Sequence, residues 1–471
     1  MTHTLTKTPA GGNSKAGPPG PVLRVAADGV LTGATAEVEA EIRRRLTIAN
    51  PRYQAAKKYG RWIGKRLQPQ LCFYEDDKDG LHFPRGYANQ AVQLCRQLSG
   101  QAPVVDDQRR RLDPIVLHFT GELRSYQQEA VAAAAARSFG VLEAATGSGK
   151  TVMALALIAR RLQPTLVLVH TKELLHQWRE RIRHFLGIEA GGLGDGMQEI
   201  RPVSVAIVNS ARGRLDELAP RFGHLVVDEC HRVPASLFTE VVSGFDSHYM
   251  LGLSATAYRR EDGLTPLITL YMGDLVHTVD RQDLVRDGAV ALPELVRRET
   301  AFSYRFSGDY SAMLRALTLD ETRNALIADD VTAALSRPDT GILLLVSDRV
   351  EHCEALCELL SARGVEAQLL TGRQAATQRS AVVEALREGR VRILVATLQL
   401  IGEGFDCPGL TTLFLATPIK FEGRLLQVAG RVMRPAAGKR ARVIDYVDVQ
   451  VPLLRRSAEG RRTVFADWHT R

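Results

Sequence analysis

At 471 residues, 45% of them hydrophobic, the chain is too long for one ordinary core and apolar enough for several; the length implies roughly three domains. A formal charge of +8 favours a polyanionic partner, nucleic acid first among them. Six scattered cysteines do not read as a disulfide scaffold: only Cys353 and Cys357 are close, with His352 in EHCEALCELL, an i, i+4 pair that is expected to be the half-buried face of a helix in a reducing cytosol rather than a metal site. No 18-residue apolar stretch occurs and the N-terminus lacks the apolar core of a signal peptide, so a cytoplasmic protein without a membrane span is expected.

Residues 1–20, rich in Gly, Pro and Thr, are expected to form a disordered tail. Residues 21–120 mix elements as a small α+β N-terminal accessory domain does. EVEAEIRRRL has helical periodicity, and a hairpin is expected from LCFY through the turn EDDKDG to LHFP. Between them, NPRYQAAKKYGRWIGKRLQPQ interleaves Arg52, Lys57, Lys58, Arg61, Lys65 and Arg66 with Tyr53, Tyr59 and Trp62. Charge beside flat rings suits a nucleic-acid strand, although a solvated amphipathic helix has the same pattern.

After Leu123 short apolar runs alternate with amphipathic stretches. GVLEA, TLVLVH, VSVAIV, HLVVD and MLGLSA read as strands of one α/β domain over 121–285. A connector with edge elements covers 286–339, and GILLLVS, EAQLLT, RILVAT, TTLFLAT and ARVIDYV read as strands of a second α/β domain over 340–471. Strands of this type alternating with helices predict parallel sheets covered on both faces.

HLVVDECHR places Asp228, Glu229, Cys230 and His231 side by side, four residue types that bind metals. Successive strand side chains point to opposite faces, so four adjacent ligands do not converge on one tetrahedral zinc ion. An apolar strand ending in Asp-Glu instead supplies one carboxylate to magnesium and one to an attacking water, given a phosphate loop upstream. That loop is ATGSGKT, between the strand GVLEA and the helix TVMALALIARRL, with Thr146, Gly147, Ser148, Gly149, Lys150 and Thr151 in position to cradle phosphates. Ala144 stands where the pattern usually begins with glycine. Cys230 is expected to pack as a small apolar side chain.

In order and spacing these motifs resemble a superfamily 2 helicase of the DEAD/DEAH type over about 120–448, with a type III restriction-like ATP-binding domain followed by a helicase C-terminal domain. The resemblance implies two tandem RecA-like parallel-sheet domains. It places Gln127 on the adenine, with Arg124 and Tyr126 nearby, Asp228 and Thr151 on magnesium, and Glu229 on the attacking water. Lys150, Gln427, Arg431 and Arg434 join the catalytic set, and Gly402, Glu403 and Asp406 lie near the nucleotide. His231, Ser254, Ala255 and Thr256 would link hydrolysis to movement. Nucleic-acid contacts are implied at HTKEL, including Thr171, at Asn209, Ser210 and the rest of NSAR, at Thr371 and Gly372, and at Thr397. AYRREDG is similar to the Arg-Glu-Asp element of the repair and phage recombination branch, which makes Arg260, Glu261 and Asp262 candidates.

The expected function is that of an ATP-dependent DNA helicase or translocase in repair or recombination, with ATP and Mg²⁺ as cofactors and single-stranded or branched DNA as partner. Alternatives are an RNA helicase and a conflict-system nucleic-acid-binding scaffold with little motor activity.

Overall fold

A computed structural model of the chain describes residues 20–58, 60, 62–64, 67–232, 235–255, 262–402, 409–420, 422–436 and 438–466. Two compact units divide after Arg109. Among the described residues no helix is long and apolar enough to cross a membrane.

The N-terminal unit carries a five-stranded sheet in the order Glu75–Asp77, Gly80–Pro84, Asp28–Thr32, Val22–Val25, Val104–Asp107. Helices Ala36–Arg45 and Ala88–Ser99 pack on each other through faces that bury Val38 and Ile42 on one and Ala91, Leu94 and Cys95 on the other. Thr35 caps the first helix by accepting from Val38 N. The hairpin differs from the sequence expectation. Gln70–Cys72 pairs with Thr47–Ala49, while the partner of Gly80–Pro84 is Glu75–Asp77, inside the segment read as turn. The physical reason is local: Asp77 Oδ1 accepts from Asp79 N at 2.7 Å and Gly80 takes φ +132°, so the chain reverses over Lys78 and Asp79 alone. Helix Pro51–Lys58 leaves Arg52, Lys57 and Lys58 exposed, and Trp62 is 89% exposed; Tyr59, Arg61, Lys65 and Arg66 lie outside the described residues, as does the segment 1–19.

The second unit contains two sheets. The first has eight strands in the order Met197–Glu199, Gly191–Gly194, Val203–Ile207, Thr165–Val169, His224–Val227, Tyr249–Ser254, Phe139–Glu143, Leu275–Thr278, parallel except for Met197–Glu199 at the edge. The second has six parallel strands, Glu294–Glu299, Arg442–Val447, Leu410–Leu415, Ile342–Ser347, Ile393–Thr397 and Gln368–Leu370. Their central strands are buried on both faces, and alternate residues enter different cores: Val167 and Val169 one, Leu166 and Leu168 the other. One of those cores runs on without a break into the second sheet, through Leu344 and Val346. Within 286–339, Glu294–Glu299 is the edge strand of the second sheet, and helix Glu321–Leu335 packs on helix Val350–Ser361.

A buried polar node ties this second half together. Arg323, fully buried, donates to Asp448 Oδ1 at 2.8 Å and to the Ala416 carbonyl at 2.6 Å, and Thr300 Oγ1 donates to the same carboxylate oxygen at 2.6 Å. Beside it His352, 2% exposed, hydrogen-bonds Ser347 Oγ through Nδ1 and Asn324 Oδ1 through Nε2, both at 2.9 Å. An oxygen acceptor on Nε2 and a hydroxyl on Nδ1 are both satisfied by a neutral ring. Burial, then the Arg323 charge, pushes its pKa from 6.5 down to about 3. The unfolded chain therefore takes up this proton first as pH falls. The stabilisation is complete above 6.5 and is lost on the way down toward 3, by at most about 1.4 kcal/mol per pH unit. The thermal midpoint of His352→Gln is expected to decline less steeply than that of the wild type between pH 6.5 and 4.5; equal slopes in differential scanning calorimetry would contradict this assignment.

Candidate functional site

The carboxyl ends of the central strands of the first sheet meet in one place. Strand Phe139–Glu143 runs into the loop 144–149, and helix Lys150–Arg161 starts directly after it. Gly147 (φ +89°) and Gly149 (φ +82°) take the left-handed backbone that turns the loop back on itself. Ala144 is not among the positive-φ residues and its methyl is buried, which accounts for alanine at the position where the pattern begins with glycine. The loop is braced from behind: Tyr126 Oη and Gln127 Nε2 both donate to the Ser148 carbonyl, at 2.9 and 3.0 Å. Gln127 Oε1 in turn accepts from Arg124 N at 3.0 Å. A Cβ on Gly149 would lie 2.4 Å from Gln127 Nε2, so the glutamine and the glycine fit only together.

Lys150 Nζ donates to the Ala144 carbonyl at 3.0 Å and stands 3.6 Å from Glu229 Oε1. Asp228 extends strand His224–Val227 by donating its N–H to the Leu168 carbonyl, and Cys230 N–H reaches the Leu253 carbonyl on the other side. Between them Glu229 has φ +46°, an uncommon conformation for a non-glycine residue, and this turns its side chain toward the lysine. Both oxygens of Asp228 are held. Oδ1 accepts from Glu229 N at 2.9 Å and Oδ2 from Trp178 Nε1 at 2.8 Å. His231 Nδ1 lies 2.9 Å from Ser254 Oγ and 3.4 Å from Glu229 Oε2, so the carboxylate stretch and the strand Tyr249–Ser254 touch through these side chains.

The electrostatics follow from burial. Burial first, and then the adjacent Glu229 charge, raise the Asp228 pKa. For Glu229 burial acts upward, but Lys150, His231 and Arg232 outweigh it and the carboxyl is held low. Burial brings His231 down to about 4, so its ring is neutral near pH 7.

The second sheet reaches this place through helix Glu422–Val432. A Cβ on Gly430 would come within 2.9 Å of Thr146 Cβ in the phosphate loop, and Arg232 donates to Gln427 Oε1. Arg431 is buried close enough to Glu229 to feel its charge, and desolvation lowers its pKa to about 10; burial also lowers that of Arg434. Gly402 ends helix Leu398–Gly402. Asp406 and Glu403 lie outside the described residues, as do Thr256, Arg260 and Glu261, while Asp262 is exposed and accepts from Leu264 N.

The nucleic-acid candidates fall in two groups. Thr171, which caps helix Lys172–Leu186 by accepting from Leu174 N, follows strand Thr165–Val169, and Asn209 and Ser210 follow its neighbour Val203–Ile207. In the second sheet Thr371 follows Gln368–Leu370 and Thr397 ends the adjacent strand Ile393–Thr397. The Thr371 and Thr397 side chains are buried, whereas Gly372 is exposed. Arg379 approaches Glu173 at 4.0 Å between the two groups. Trp178 and Arg232 were not among the sequence-derived candidates. Leu175, Trp178, Ile182 and Leu186 have the spacing of a buried helix face, but the polar partner of Trp178 lies 50 positions away and that of Arg232 lies 195 away.

The fit to a phosphate-bearing ligand and its cation rests on the loop itself. Thr146 Oγ1 and Ser148 Oγ are buried without a hydrogen-bond partner in the cradle made by Gly147 and Gly149, beside an ammonium and two carboxylates. Unsatisfied donors of this kind suit phosphate oxygens.

Residues 120–259 match the family "Type III restriction enzyme, res subunit" and residues 327–436 match "Helicase conserved C-terminal domain". The Frog virus 3 protein 055L, described as a helicase, is 30% identical over 339 residues, 70% of this chain and 73% of its own. The DNA 3'-5' translocase XPB2 of Sulfurisphaera tokodaii is 25% identical over 360 residues, 69% of this chain and 81% of its own. Among solved structures, S. cerevisiae Dbp5 bound to RNA and ADP BeF3 superposes with a TM-score of 0.55 at 14% identity, over 74% of this chain and 89% of Dbp5, a likeness of fold. With helicase families matched in series on two tandem parallel sheets, the chain belongs to the superfamily 2 helicases, ATP-hydrolysing enzymes built from two RecA-like domains.

Proposed function

We propose that the chain moves along or unwinds DNA, coupling each step to closure of the second RecA-like domain on nucleotide held by the first. The observation that carries this reading is the seat of helix Glu422–Val432 on the phosphate loop, with Gly430 against Thr146 and Arg431 in the field of Glu229. Hydrolysis assembled from both domains depends on the cleft being closed, and nucleic acid lying across both domains favours closure.

In this mechanism Gln127 reads the adenine, and the backbone of Thr146 to Gly149 together with Lys150 holds the phosphates. Magnesium, held by Thr151 and Asp228, would neutralise charge on the phosphate oxygens. Glu229, ionised by its cationic neighbours, orients the water and takes its proton. Arg431 and Arg434, positioned with Gln427, stabilise charge developing on the transferring phosphoryl group, a contribution worth roughly 10³ to 10⁵ in rate for arginine fingers. His231 and Ser254 pass the nucleotide state to the neighbouring strand end. Thr171, Asn209, Ser210 and Gly372 grip backbone phosphates, while Thr371 and Thr397, whose side chains are buried, support the ends of their strands beneath that grip, and such a grip carries little sequence preference.

DNA rather than RNA is supported by the similarity to a DNA 3'-5' translocase, and we adopt the same polarity; the role in repair or recombination rests on the AYRREDG resemblance. The N-terminal unit is proposed as an accessory DNA contact through the exposed Arg52, Lys57 and Lys58 and the exposed Trp62.

Glu229→Gln is expected to keep nucleotide affinity while phosphate release falls by at least about 100-fold, and Lys150→Ala to abolish stimulated release. Turnover at the wild-type rate in either variant removes that residue from its role. In a stimulation panel, single-stranded or forked DNA should raise phosphate release more than RNA of equal length, and the reverse order would reassign the substrate. Replacing Arg52, Lys57 and Lys58 together by alanine should weaken DNA binding and lower the salt slope of log Kd by about two to three units, with basal hydrolysis unchanged. An unaltered salt slope in fluorescence anisotropy would make this segment structural.

A further inference from the structure

The sequence motifs leave Trp178 without a role, yet it is in direct contact with the site. Its indole is 1% exposed, in a helix whose other inward residues are Leu175, Ile182 and Leu186. Packing alone would be met by leucine or phenylalanine; tryptophan adds an N–H that must find an acceptor when buried. That acceptor is Asp228 Oδ2, at 2.8 Å.

We propose that Trp178 is a positioning residue for metal binding: its indole N–H, with the Glu229 backbone N–H, fixes the plane of the Asp228 carboxylate so that one lone pair on each oxygen stays directed toward magnesium or its waters. The proposal rests on the reading of Asp228 as the magnesium-side carboxylate. The geometry is restrictive because the two donors come from different elements. The Glu229 N–H takes Oδ1 from the strand end and the indole takes Oδ2 from a helix across the core. A carboxylate has about four acceptor sites, so two donors orient it without exhausting it. With the indole buried in the packed face of its helix, the carboxylate cannot turn unless that helix moves. The helix begins at Thr171, roughly 10 Å and two turns before Trp178 at 1.5 Å per residue.

The test is a titration of Mg²⁺ into protein carrying a fluorescent N-methylanthraniloyl-ADP, in wild type, Trp178→Phe and Asp228→Asn. In Trp178→Phe the nucleotide affinity in EDTA should stay within about twofold of wild type, while the Mg²⁺ midpoint rises about tenfold, the scale of one hydrogen bond to a charged group. Asp228→Asn should remove most of the Mg²⁺ effect. If Asp228→Asn shifts the midpoint and Trp178→Phe does not, the role of Trp178 is overturned and that of Asp228 stands. If Asp228→Asn has no effect, both fall. Should Trp178→Phe fail to fold, the wild-type protein answers: with ¹⁵N-indole labelling it gives three tryptophan signals, assigned through Trp62→Phe and Trp468→Phe. The Trp178 signal should move when Mg²⁺ is added to ADP-loaded protein. A signal indifferent to Mg²⁺ overturns the proposal.

Discussion

Two adjacent carboxylates at the end of a buried strand repel each other and resist desolvation, and the first sheet is arranged around keeping both in place. Asp228 and Glu229 are separated by a backbone turn, since Glu229 at φ +46° swings away from the strand direction that Asp228 continues. Each then receives its own partners. Asp228 takes neutral donors, the Trp178 indole and a backbone N–H, while Glu229 takes the charge of Lys150 and the field of Arg232 and Arg431. The same adjacency therefore produces two carboxyl groups of opposite tendency, one raised and one lowered. Divergent environments around paired carboxylates are how one site obtains two roles from one residue type.

That arrangement also explains why the second sheet has to come so close. The phosphate loop is braced from the first half on its inner side, by Tyr126 and Gln127 on the Ser148 carbonyl. Its outer side meets the helix Glu422–Val432, where any residue larger than glycine at 430 would press on Thr146. A continuous apolar core running from Val167 and Val226 to Leu344 and Val346 holds the two sheets in this relation. The buried Arg431 keeps its charge in a low-dielectric place at an energetic cost, which is offset where negative charge stands opposite.

The periodic part of this fold is plain in the sequence. Parallel strands buried on both faces, such as TLVLV and ILVAT, are unbroken apolar runs, and the glycine loop before a helix has a fixed spacing. Legibility fails where a short polar segment chooses between pairing and turning. EDD could be turn or strand, and only the Asp77 side-chain bond to Asp79 N–H decides it. It fails again for partners far apart in the chain. The inward face of HQWRERIRHFL is evident from its period, but nothing local says that Trp178 ends on Asp228 or that Arg232 reaches Gln427. Motif reading finds Asp228 and Gln427 and passes over the side chains that hold them.

HLVVDECHR shows where the division lies. In four consecutive positions, Asp228 and His231 are tied to side chains of other elements and Glu229 faces the phosphate-loop lysine. Cys230 turns inward, to a core with Val141, Val227 and Met272, and its Sγ would lie 3.3 Å from a Cβ placed on Gly252. A larger residue at 230 would press on the neighbouring strand, and a polar one would bury an unsatisfied group beside the two carboxylates. The cysteine is therefore constrained by volume.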